Sequence, residues 1–80
     1  MAEIELIRQM FRDLLSRNGD LDPFSDDEGL FSNGRLQSID GVEMVVFLEE
    51  KFGLDFARLG FDPESIDSVS ATTALIGRHG

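Results

Sequence analysis

Between Glu3 and Arg17 the apolar residues Ile4, Leu6, Ile7, Met10, Phe11, Leu14 and Leu15 recur so that, at about 3.6 residues per turn, they occupy one half of a helical wheel. Glu5, Arg8, Gln9, Arg12, Asp13 and Ser16 occupy the other half. A helix of this kind is stable only with its apolar side covered, so the rest of the chain has to supply the cover. Asn18-Gly19 then acts as a stop, because glycine enters the left-handed conformation without a Cβ penalty. The spacing predicts a helix over 3–17. Eighty residues without a cysteine allow one domain over 1–80 and one modest core, with no disulfide or thiolate metal site to brace it and no thiol nucleophile. Helix packing must do the bracing.

A second apolar period starts at Ser38 and runs, free of proline, to Phe52 ahead of Gly53. Asp40 and Glu43 near its start and Lys51 in its last turn suit the helix dipole, so a helix is predicted over 38–52. On the wheel Leu48, Phe52, Val45 and Val42 form an apolar arc that contains Gly41 and is expected to face the core. Glycine inside a helix costs about 1 kcal/mol relative to alanine, so Gly41 on the packed side implies close approach of another backbone or of a ligand. Across the helix Asp40, Glu43 and Glu50 form an acidic stripe, with Ile39, Val46 and Phe47 beside or within it. A plain charge run is solvated surface, whereas apolar anchors set among charges of one sign resemble a docking face.

Residues 18–37 read as a long loop, with Gly19, Pro23, Gly29 and Gly34 among aspartates, serines and asparagines. So long a loop in so small a domain has to be pinned or functional, and Leu21, Phe24, Leu30, Phe31 and Leu36 are the expected pins. Its aspartates do not make a calcium loop, since no register supplies both the central glycine and the closing glutamate of an EF-hand. A solvated acidic loop that holds divalent ions weakly is the expectation. Beyond Gly53 one short helical turn is expected between 54 and 66, where Asp62-Pro63-Glu64 is a helix-start signal. A last helix is expected over 67–77, capped by Asp67 or Ser68 and ended by Gly77, with Arg78-His79-Gly80 frayed.

Sixteen acidic residues against seven basic ones give a net charge of −9, which repels nucleic acid and anionic lipid alike and favours partners with basic patches. Met1-Ala2-Glu3-Ile4-Glu5 lacks the basic and apolar regions of a signal peptide, and no apolar run is long enough to span a membrane, so a cytoplasmic monomer is expected. Catalysis by a serine needs a nearby base, and the one histidine, His79, lies in the tail. No glycine-rich phosphate loop and no metal-ligand cluster is present in the sequence, so no enzymatic activity is expected. Ser38 remains. A serine at a helix start is ordinarily a cap, but the free N–H groups and positive dipole end there also suit a phosphate carried on its hydroxyl.

The stretch Gln37-Ser38-Ile39-Asp40, followed by Val42-Glu43-Met44-Val45-Val46-Phe47-Leu48-Glu49-Glu50-Lys51-Phe52-Gly53, resembles the acyl carrier protein family over most of the chain. The family's attachment motif is Asp-Ser-Leu and an acidic residue, then an apolar helix ending in Glu-Glu-x-Phe-Gly. Ile66-Asp67-Ser68-Val69 is similar to the family's approach to its last helix. The resemblance implies an all-α, acyl-carrier-like bundle of three main helices plus a short one, with the long loop between helices 1 and 2. It also implies that a phosphopantetheinyl transferase moves 4′-phosphopantetheine from coenzyme A onto Ser38, the arm then carrying an acyl group as a thioester to the enzymes of fatty-acid, lipid or polyketide and other secondary-metabolite synthesis. Asp40, Glu43, Glu49 and Glu50 match the acidic positions that meet basic patches on acyl-loading and acyl-using enzymes, and Ile39 and Val46 match the apolar contacts.

Two residues depart from the pattern. Gln37 stands where the family has aspartate, removing a charge beside the attachment point that the transferase reads, and Phe47 stands where a small residue is common. Both mark a specialised carrier. Ser32, without a following helix, ranks far below Ser38 for modification. An aminoacyl or peptidyl carrier, and an unmodified acidic helical adaptor in which Ser38 is only a cap, are the competing readings.

Overall fold

The computed structural model describes residues 3–79, whose regular elements are all helical, with no strand among them. Helix α1 spans Glu3–Arg17, α2 spans Ser38–Phe52, α3 spans Phe56–Leu59 and α4 spans Val69–His79, with a 3-10 turn at Pro63–Ile66. The all-α class is borne out, although residues 54–66 hold two short elements where one was expected. No described helix is long and apolar enough to cross a membrane. Gly80, part of the expected frayed end, lies outside the described residues.

The first helix buries Ile7, Phe11, Leu14 and Leu15, the inner half of its apolar face. It closes on Gly19, whose N–H reaches Ser16 O at 3.0 Å while that of Asp20 reaches Leu15 O at 2.8 Å. Gly19 has a φ of +80°, which a side chain rarely tolerates. From α4, Val69, Leu75 and Ile76 complete the core against α1, and Thr72 is buried beside them because its hydroxyl donates to Ser68 O at 2.8 Å.

The second helix keeps Leu48 of the expected arc inside but turns its inner face from there towards Asp40 and Met44. Asp40, Met44 and Leu48 are its buried residues, whereas Val42 is 59% exposed and Val45 and Phe52 are half-buried. The inner face is rotated by about a quarter turn, as the 100° step between residues makes 40, 44 and 48 one line. Asp40 can lie on the inner line with Met44 and Leu48 because its carboxylate finds donors there in Gln37 N and Asn18 Nδ2.

The loop is held by more than its apolar residues. Leu30 and Leu36 are buried and Phe24 and Phe31 flank Phe11 with ring centroids 6.4 Å away, but Leu21 is 76% exposed and pins nothing. Three arginines do the rest. Arg35 forks onto Asp20 at 2.8 and 2.9 Å and reaches Glu28 at 3.0 Å, Arg8 forks onto Asp26 at 2.9 and 2.7 Å, and Arg12 donates to the carbonyls of Asp20 and Asp22. These carboxylates belong to ion pairs, so the expectation of a merely solvated acidic loop is corrected. No cluster of three or more metal-ligating side chains occurs among the described residues.

Those pairs carry a pH signature. Hydrogen bonds from Arg35 hold Asp20 and Glu28, and those from Arg8 hold Asp26, below the usual carboxylate range, while the two arginines are pushed upward. A carboxylate depressed by folding stabilises the fold above its unfolded pKa of about 4, and that contribution is lost as pH falls through the lower folded value. Arg35→Gln should therefore be less stable than the wild type at neutral pH, with the gap narrowing below about pH 4. Urea midpoints by circular dichroism at constant ionic strength read this directly, and a gap independent of pH would refute it.

Short elements join α2 to α4. Asp55 accepts from the N–H groups of Ala57 and Arg58 to start α3, and Asp62 accepts from Glu64 N to start the 3-10 turn behind Pro63. Ser68 Oγ accepts from Ala71 N at 3.1 Å, so it is Ser68 that caps α4. Asp67 instead latches the loop. Its Oδ1 accepts from the N–H groups of Phe31 and Ser32, both at 2.9 Å, and its Oδ2 from the Ser32 hydroxyl at 2.7 Å. Gly77 does not end α4; with open space around it, it is passed over and the helix continues to His79.

Candidate functional site

Ser38 is the first residue of α2, and the extended residue before it, Gln37, occupies the cap position. The helix start is fixed from inside: Asp40 Oδ2 accepts from the Gln37 N–H at 2.8 Å and from Asn18 Nδ2 at 2.9 Å. The Gln37 side chain is turned to Gly34, donating to its carbonyl at 3.2 Å. Ser38 is exposed, and its hydroxyl forms no hydrogen bond to the described residues. The cap role considered for Ser38 thus falls to its neighbours, leaving a free hydroxyl at the positive end of a 15-residue helix. Ser32 is the opposite case, its hydroxyl being spent on Asp67 and on Gly29 O.

Gln37 and Ser38 stand on the rim of an apolar groove of about 590 Å³. Phe31 and Leu36 from the loop, Val42 and Val45 from α2, and Phe61 and Ile66 from the α3–α4 connection form its walls. Gly41 lies in the α2 wall, where a Cβ would sit 3.5 Å from the Phe31 ring, an ordinary contact. No backbone crowds Gly41, so the expectation of a close backbone approach is corrected, and what the missing side chain does is widen the groove beside Phe31.

The expected docking residues separate into two groups. Ile39 and Val46 are exposed, Phe47 is half-buried with its ring 5.9 Å from that of Phe52, and Glu43 and Glu50 share their side of α2. Asp40 is not among them: at 2% exposure it is a core residue that organises the helix start. Glu49 is exposed on the outward side of α2, and its carboxylate accepts from Phe56 N at 3.4 Å, tying α2 to α3. Val42 and Phe61 are groove residues that the sequence pattern did not mark as part of a site. A signal for the first was present, since Val42, Val45 and Val46 follow Ser38 at helical spacing and line the groove below it. Set against protein-family models, characterised proteins and solved structures, the chain gives no match in any of the three comparisons.

Proposed function

We propose that the protein is an acyl carrier whose attachment point is Ser38. The observation that carries this reading is the free Ser38 hydroxyl at the start of α2, on the rim of an apolar groove. The residues fit a 4′-phosphopantetheine arm. Ser38 offers the oxygen that takes its phosphate, and the positive end of α2 favours the resulting negative charge. The arm, when bound, supplies the thiol that a cysteine-free chain lacks, and holds the cargo as a thioester. Val42, Val45, Phe61 and Ile66 offer an apolar groove surface, part of it exposed, that an apolar chain would cover, which favours acyl cargo over the aminoacyl alternative. Ile39, Val46, Glu43 and Glu50 form the face on which a transferase and acyl-using enzymes with basic patches dock, apolar anchors giving affinity and carboxylates steering. The chain itself performs no bond chemistry, and its place is in the fatty-acid, lipid or secondary-metabolite class of synthesis.

Incubation with coenzyme A and a broad-specificity phosphopantetheinyl transferase, followed by intact mass, tests this. The expected result is a gain of one phosphopantetheine that is lost in Ser38→Ala and kept in Ser32→Ala. No gain, under conditions that modify a control carrier, would leave the acidic adaptor as the better reading.

A further inference from the structure

Arg17 ends α1 beside the acidic side of α2. Its guanidinium lies against Glu43 Oε2, an atom closed off from water and without an aligned hydrogen-bond donor among the described residues. It also stands 3.9 Å from Asp40 Oδ1, while the Gln37 and Asn18 donors hold the other oxygen, Oδ2, so the direct contact of Arg17 is with Glu43 and Asp40 sees its charge at longer range. Arg17 keeps 58% of its side chain exposed and, with Glu43, Val46, Phe47, Glu50 and Lys51, lines a shallow depression between α1 and α2. The two carboxylates of the docking face therefore differ. Glu43 has a cation in contact, and Glu50 forms no ion pair among the described residues.

We infer that Arg17 is a specificity-determining residue of this face, favouring partners that set a carboxylate beside their cation over partners that are uniformly basic. The inference rests on the docking role of α2 proposed above. A uniformly basic surface has to draw Glu43 off Arg17 and then faces the freed guanidinium with its own cations, a like-charge cost that works against it. A mixed surface exchanges the internal pair for two intermolecular ones. An exposed pair is worth at most about 1 kcal/mol, so the discrimination is about two- to fivefold.

Two synthetic helical peptides test it, one with arginines alone along a face and one with a glutamate beside an arginine, their binding read by fluorescence anisotropy at low salt. Arg17→Gln should shift the affinity ratio towards the all-arginine peptide by about two- to fivefold. Arg78→Gln, which removes the same charge from an exposed position on α4, should leave the ratio unchanged. Equal shifts in the two variants, or no binding of either peptide to the wild type, would overturn the role of Arg17. A chain that takes no phosphopantetheine yet shows the expected ratios would overturn the carrier reading alone.

Discussion

Asp67→Ala should lower the stability of the fold by about 2–3 kcal/mol, a large share of the roughly 4–12 kcal/mol available to a domain this small. One carboxylate holds three donors from the loop, the N–H groups of Phe31 and Ser32 and the Ser32 hydroxyl. Alanine leaves the part-buried Phe31 N–H without an acceptor, which costs more than the loss of an exposed bond. Asp67→Asn keeps one oxygen for the two backbone donors and should lose about half as much. Gly29→Ala probes the same latch from the other side, because a Cβ there would lie 2.6 Å from Asp67 Oδ2. The chain has neither tryptophan nor tyrosine, so urea unfolding is followed by far-ultraviolet circular dichroism. A wild-type midpoint in Asp67→Ala would show that the latch contributes nothing. Since Phe31 and Leu36 form one wall of the groove, the destabilised loop should also weaken its hold on an apolar probe.

This latch marks the boundary of what the sequence reveals. The period of Ile7, Phe11, Leu14 and Leu15 places α1 and its inner face without reference to anything distant, because helical spacing is a local property. Ser38 could be singled out for a related reason: a serine before an apolar period, with Val42 and Val45 below it, is a pattern within a few turns of one helix. Two of the arginine pairs of the loop, Arg35–Asp20 and Arg8–Asp26, join residues 15 and 18 positions apart, and Asp67 reaches its loop partners across 35 and 36 positions. Local spacing cannot assign such partners, so the acidic residues of 20–28 looked like solvated charge. The groove shows both cases at once. Its α2 wall is legible from Ser38 onward, whereas Phe61 and Ile66 arrive from a segment whose path depends on the short caps at Asp55 and Asp62.

Asp40 is the residue on which a wheel reading and the fold disagree most, and its substitution separates the two. As a member of a docking stripe it would contribute nothing to stability, surface changes of that kind falling within about 0.5 kcal/mol. As a buried carboxylate that accepts from Gln37 N and Asn18 Nδ2, its replacement by alanine should cost about 2–4 kcal/mol. Both donors converge on the same oxygen, Oδ2, so the carbonyl of an asparagine can take its place, and Asp40→Asn should cost only about 1 kcal/mol. Because Gln37 N is one of the two donors, Asp40→Ala also frees the helix start from its internal tie and should slow modification of Ser38 even in the fraction that remains folded. Asp40→Asn should restore most of that rate while Glu50→Gln, on the exposed side, leaves stability unchanged and lowers the salt dependence of the transferase reaction. Denaturation curves and transferase kcat/KM over a salt series distinguish the roles. If Asp40→Ala unfolded at the wild-type midpoint and changed only the salt dependence, Asp40 would belong to the docking face after all.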